Sequence, residues 1–324
     1  MVTLIRLSRT AVAAALTLVL AAPASAQEKQ VKFVVGFAPG STSDMIGRLI
    51  ADRVRTSLGA PVIVENRPGA NGFIAAEAVK NAAPDGNTVM IAPVAVTVFA
   101  PLTHSKLRYD PAKDFAPVSV AANFQLALAV GAGTPARTLP EHVAWFKGNP
   151  SKAAYGIPLT GGPGHFLGVM VARAIGVDVA FVPYKGGGPL ATDLMGGQVP
   201  AGIGTLSDFI KQHEAGKLRV LAIAGPQRSP AAPDVPTFRE SGFPAIEVTG
   251  WHAFHTTAGT PRPAVERLSA AIASAIKNPE VSARLVALGL EPVGSTPDEL
   301  AKRVAEDTAR WAPAVKASGF RAED

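Results

Sequence analysis

The stretch VKFVVGFAPGSTSDMIGRLIADRVRTSL, residues 31–58, decides how the rest of the chain is read. A short β-branched run meets a turn of small residues, GFAPGSTSD. In the segment after it Ile46, Leu49, Ile50, Val54 and Leu58 share one helical stripe, with Arg48, Asp52, Arg53 and Arg55 largely outside it. Strand, glycine-rich turn and helix in that order leave the first helical amides without partners, backed by the positive end of the helix dipole. Such a corner suits a phosphate or a carboxylate. Nucleotide patterns do not fit, because no lysine and hydroxyl follow the glycines and G-x-G-x-x-G is absent. A tight turn in which Ser43 or Asp44 only caps the helix is the structural alternative. Both roles stay open for Asp44 on these residues alone.

Outward from this corner, short apolar runs alternate with helical periodicity. VIVEN, TVMIAPV, LALAV, AAYGI, VAFVPY, AGIGTL and LRVLAIAG read as strands, and FIAAEAVKNA and ATDLMGG are among the segments between them. That alternation predicts βαβ units in an α/β fold, with the glycine corner at the carboxyl end of a strand, where open sheets place ligands. From Pro261 onward the reading is helices only: one opened by prolines and ending before Pro279, one ending at Gly289, and one with Thr296 as cap, Pro297 in the first turn and acids at 298 and 299. FQLALAV (124–130) and VTGWHAFHTTA (248–258) bracket a middle block and are read as two crossings of a hinge. The expected architecture is a two-lobed binding protein: residues 27–126 with 252–324 form one lobe and 127–251 the other, each a sheet flanked by helices. The ligand cleft lies between them.

Residues 1–26 have the layout of a secretory signal: Arg6 and Arg9, an apolar AVAAALTLVLAA, then small residues ending at Ala26. The apolar run is short of the roughly 20 residues that a spanning helix needs. Export to the periplasm follows as an expectation. The formal charge is +6, and losing this segment removes two arginines and no acid, leaving +4. Charges are interspersed, with no basic block, which argues against nucleic acid. The chain has no cysteine, and its six histidines are scattered. No metal or cofactor is expected; the pair His252 and His255 reads as packing or surface residues on opposite faces of a strand. Catalytic signatures are missing, and the S-x-x-K at Ser274–Lys277 sits inside an amphipathic helix without its companion elements. The chain does not read as an enzyme.

The corner recurs instead. GIPLTGGPGHF (156–166) lies between a strand and a helix, and PYKGGGPLATDLMGGQ (183–198) follows another strand. Two such corners facing each other across a hinge would line a cleft with peptide N–H groups, a binding architecture for a small anion.

VVGFAPGSTSDMIGRLIADRV, PVIVENRPGANGFIAAEAV, YDPAKDFAPVS, VPYKGGGPLATDLMGGQV and AGKLRVLAIAG, in this order, resemble the substrate-binding proteins of tripartite tricarboxylate transporters, the TctC-like or Bug family. The resemblance runs from the signal segment to the C-terminal helices. It implies a periplasmic receptor, expected to be a monomer. The receptor closes on a small carboxylate and delivers it to integral membrane permease subunits, or presents it to a sensor kinase. It also implies that backbone amides hold the carboxylate. Carried onto this sequence, the ligand-binding residues are Phe37, Ala38, Pro39, Gly40, Ser41 and Asp44 at the first corner, with Val94 and Ala95 after the third strand. From the middle block come Leu159, Thr160, Gly161, His165, Tyr184, Lys185, Gly186 and Thr205. The chain departs from the family pattern at Ala38 and Ser41, at PVA (93–95), at IPLTGGPG (157–164), and at Gly204–Thr205, where the family often has Asp-Asn. Pro158 and Pro163 remove amide donors. Loss of the acid at Gly204 disfavours a ligand with a charged amino group, and an apolar carboxylate is expected.

Overall fold

The computed structural model describes residues 30–131 and 133–322; residues 1–26, read above as a signal segment, lie outside the described residues. β1 (Val31–Val35) pairs in parallel with β2 (Val62–Asn66) and β3 (Thr88–Pro93). β9 (Thr249–Thr257) runs antiparallel between β3 and β4 (Phe115–Val130). β4 is 16 residues long and belongs to two sheet sections. Its residues 115–125 pair with β9, and residues 126–130 pair with β7 (Ala201–Thr205) and β8 (Arg219–Ile223). Beyond β7 lie β5 (Ala154–Ile157) and β6 (Ala180–Pro183), parallel to each other. Two α/β sections thus share one strand, as the alternation predicts.

The longer helices are α1 (Thr42–Leu58), α2 (Phe73–Lys80), α3 (Leu139–Gly148), α4 (Pro163–Ile175), α5 (Gly187–Met195), α6 (Leu206–Glu214), α7 (Arg262–Lys277), α8 (Pro279–Ala287) and α9 (Pro297–Ser318). β4 is buried along nearly its whole length, at the centre of a mixed sheet in which all its own pairings are antiparallel and helices pack against it. Ile46, Ile50 and Val54 are fully buried on α1 against β1 and β3, as their spacing requires. No helix among the described residues is long and apolar enough to cross a membrane.

Two expectations need correction. The strand expected at residues 124–130 begins at Phe115. Pro117, which cannot donate to the ladder, is accommodated where the β4–β9 register shifts, so an apparent strand breaker sits at a bulge. The C-terminal region is not helical throughout, because β10 (Leu290–Pro292) pairs antiparallel with β4 at residues 122–124.

α9 ties the two sections together. Trp251 of β9 is fully buried and its indole N–H donates to Asp307 at 2.7 Å. Farther along, Trp311 and Phe320 join Phe99, from the π-helical turn Ala95–Phe99 after β3, and Phe166 of α4. Phe99 and Phe166 stack at 5.5 Å and 8° across the boundary between sections.

Candidate functional site

At the first corner Gly40 has φ 84°, a conformation open to glycine at little cost, and its amide donates to Asp44 Oδ2 at 2.8 Å. Ser41 is the N-cap of α1 and accepts from the Asp44 amide. The Asp44 carboxylate is buried. It also accepts from Asn66 Nδ2 at 2.8 Å and, on both oxygens, from Arg48 at 3.1 and 3.0 Å. Burial opposes its charge, but Arg48, the Gly40 amide and Asn66 together outweigh burial and hold the carboxyl below its ordinary value. Asn66 also donates to the Phe37 carbonyl, so β2 pins the turn. The Thr42 and Ser43 amides, at the first two positions of α1, cannot be satisfied by the helix.

The second corner repeats this device with other chemistry. Gly161 has φ 74° and donates to His165 Nδ1 at 3.2 Å. A ring nitrogen that accepts from an amide is unprotonated, so the neutral ring carries its proton on Nε2. Burial holds the His165 pKa below the ordinary histidine value, and the ring packs edge-on against Phe181 and Phe320. The N-cap is Gly162, without a side-chain cap, and Pro163 at the first helical position has no N–H.

A cavity of about 240 Å³ opens where these corners meet. Phe37, Ser41, Thr42 and Ser43 line it from the first corner, Pro93 and Ala95 from the end of β3, and Phe124 and Leu126 from β4 where it passes between sections. Pro158, Leu159, Pro163 and Gly164 come from the second corner, with Gly186, Gly204, Thr205 and Asp208 beside them and His252 from β9. His252 Nδ1 lies 3.0 Å from Ser43 Oγ, and burial lowers its pKa to about 4, leaving it neutral. Two larger surface grooves, one between α1 and α8 and one beside residues 130–137 and 213–219, share no lining residue with this cavity.

The family model for the tripartite tricarboxylate transporter family receptor, TctC, matches residues 46–320. The chain belongs to this TctC receptor family. Among solved structures, the periplasmic binding protein BugD is 30% identical, with a TM-score of 0.80 over 91% of this chain and 99% of that one. MatC from Rhodopseudomonas palustris with bound malate is 32% identical, with a TM-score of 0.78 over 88% and 98%. An R. palustris protein with adipate is also 32% identical, with a TM-score of 0.83 over 90% and 98%. The mixed α/β fold, a sheet flanked by helices, is shared with these periplasmic binding proteins.

Within the TctC receptor, six of the residues singled out in the sequence line the cavity together: Phe37, Ser41, Ala95, Leu159, Gly186 and Thr205. The others are displaced from it. Ala38, Pro39 and Gly40 lie exposed on the outside of the turn, and Val94 is buried in the core. Asp44, Gly161 and His165 serve the two corners internally, and Thr160 is exposed. Tyr184 donates to Asp193 at 3.0 Å, while Lys185 points into solvent-exposed surroundings. Burial, with the Asp193 carboxylate adding to it, pushes the Tyr184 hydroxyl up to about 12.

Sequence reasoning missed Thr42, Ser43, Asp208 and His252. For His252 the strand placement holds, and of the two roles left open, packing or surface, both His252 and His255 take the buried one. Asp208 had a legible signal. T-L-S-D at 205–208 is a capping box, in which the Thr205 amide donates to Asp208 Oδ2 at 3.0 Å.

Proposed function

We propose that this TctC receptor captures a small carboxylate in the cavity by closure of its two lobes and delivers it to a tripartite-type membrane permease after export by residues 1–26. The observation that carries the reading is the meeting of the α1 and α4 N-termini, from different sheet sections, at one cavity beside the crossing strand β4. The free amides of Thr42 and Ser43 and the dipole of α1 favour an anion there. Pro163 withholds one donor from the α4 side, so Gly164 contributes the first amide of that helix. The lobes divide as residues 27–126 with 252–324 and residues 127–251, and the hinge lies at the β4 crossing and its return before β9. Structural neighbours with malate and adipate support carboxylates as the ligand class. The chain acts as a receptor and not as an enzyme.

The test is a thermal-shift titration of protein freed of copurified ligand by unfolding and refolding, against aliphatic, aromatic and amino carboxylates. Selective binding to the native state raises stability by about 2.7 kcal/mol at a hundredfold excess over Kd, so the midpoint should climb continuously with concentration. A flat response across the whole panel would overturn the reading.

A further inference from the structure

The cavity contains one acid and no cationic side chain. Asp208 lines it, no lysine or arginine does among the described residues, and His252 is neutral. Buried carboxylates are ordinarily paired, since an isolated charge out of water is costly. Here the carboxyl accepts from the Thr205 amide on Oδ2 and bonds the Thr205 side chain, no ion pair reaches it among the described residues, and burial pushes its pKa up from the ordinary carboxylate value.

The surrounding backbone leaves room for this carboxyl and for little else. A Cβ on Gly187 would come within 2.0 Å of Asp208 Cγ, and one on Gly204 within 3.0 Å of Oδ2. Both positions are glycine, so the carboxyl reaches past the β7 backbone to the cavity edge. The acid expected at position 204 is therefore supplied from one helical turn farther along the chain. That removes the ground on which an amino-bearing ligand was disfavoured.

We propose that Asp208 is a specificity-determining residue that receives a protonated amine, so that the ligand is an amino carboxylate with an apolar segment between its charged ends. The inference rests on the carboxylate-receptor reading. The ligand carboxylate sits at the Thr42 and Ser43 amides, on the first section, and the ammonium at Asp208, on the second. Phe37, Phe124, Leu126 and Leu159 line the cavity and suit the apolar segment. A second carboxylate at Asp208 would add to the burial that already pushes this carboxyl up, whereas an ammonium there favours its charged form. A neutral hydroxyl would make only the weaker, singly charged hydrogen bond, whereas an ammonium makes an ion pair with up to three donors. Closure of the lobes then joins the ends of one zwitterion, and the filled cavity carries only the net charge of Asp208 itself.

The experiment compares matched trios by titration calorimetry at neutral pH: 6-aminohexanoate, adipate and hexanoate, then 4-aminobutanoate, succinate and butanoate. The amino member should bind about tenfold or more tighter than its isosteres, the scale of a hydrogen bond to a charged group. Asp208→Asn keeps an oxygen for the Thr205 amide and should abolish that preference, the amine then binding within about twofold of its monocarboxylate partner. Should the dicarboxylate or monocarboxylate of each trio bind as tightly as the amine, the inference falls and the receptor reading stands. Binding by none of the acids sinks both. The trios on the unaltered protein decide the matter even if Asp208→Asn does not fold.

Discussion

The two corners, β1–α1 and β5–α4, are built on one plan and finished with different chemistry. In each, a glycine with positive φ donates its amide to the side chain four residues on, Gly40 to Asp44 and Gly161 to His165. The first acceptor is a carboxylate bound on both oxygens by Arg48 and held by Asn66. The second is a neutral ring between Phe181 and Phe320. The side chains that looked most like ligand contacts are thus braces for the turn. Among the groups that reach the cavity are those just before the braces, Thr42 and Ser43 in one case and Gly164 in the other. The difference teaches that one corner is set by charge and the other by packing, and the two should fail under different conditions.

The largest effect is expected at the charged brace. Asp44→Ala strands the Gly40 amide, Asn66 and Arg48 at once, and a loss of about 2–4 kcal/mol is expected from hydrogen bonds to a buried charged group, discounted because Arg48 is half exposed. The urea midpoint measures it. His165→Leu removes one neutral acceptor but keeps an apolar volume, so it should cost about 1–2 kcal/mol, that of one unsatisfied buried amide. Equal losses from the two variants would mean that the charge on the first corner adds nothing, and the comparison would break.

Acidification separates the corners more sharply. The His165 pKa is lowered in the folded state from an ordinary 6.5 by burial, so below pH 6.5 the unfolded chain takes up a proton that the folded chain refuses. Stability should therefore be complete above that pH and drop on acidification, by up to about 1.4 kcal/mol per pH unit for a fully resistant histidine. His142, His252 and His255, each held near 4 by burial, contribute in the same direction. Asp44 has its pKa lowered from 3.8, so its contribution persists to that pH and is lost only as pH falls further. Unfolding free energies between pH 7 and 5 should show a shallower slope for His165→Leu than for the unaltered protein, and an unchanged slope for Asp44→Asn. A slope indifferent to His165 would show that the ring is protonated or solvated in the folded state.

The same contrast explains how much was legible in the sequence. β1 and β2 fall on the runs read as strands, because their hydrophobic pattern and their glycine boundaries agree. The two corners were visible as glycine-rich turns before helices. What the pattern lacks is direction: whether Asp44 turns inward to its own loop or outward to a ligand depends on Asn66 and Arg48, and the first of these arrives from a different strand. His252 reaches Ser43 from 209 residues away, a contact with no local signature. Asp208 carried a local signature, the capping box, which reads as a helix start and so conceals its second position at the cavity edge. The resemblance marked Gly204 as a position without the family's acid; the glycines at 187 and 204 leave space for the Asp208 carboxyl, which lies four residues farther along the chain.

The smallest effects concern how each helix begins. α1 starts at Ser41, whose Oγ accepts the Asp44 amide, and Ser41→Ala should lower stability by about 1 kcal/mol, the usual cost of an N-cap. α4 starts at Gly162 with no such cap; Pro163 fixes the backbone and supplies no N–H. Pro163→Ala should cost a similar or smaller amount, about 0.4–1 kcal/mol, because the unfolded chain regains freedom. The two small losses should nevertheless diverge in binding. Ser41→Ala leaves the Thr42 and Ser43 amides in place, whereas Pro163→Ala adds a donor at the first position of α4, on the cavity wall. A new hydrogen bond of about 0.5–1.5 kcal/mol net should tighten carboxylate binding by a few fold. If Pro163→Ala weakened binding instead, the proline would be acting through the shape of the wall, and the α4 corner would differ from the α1 corner in what its backbone does as well as in what braces it.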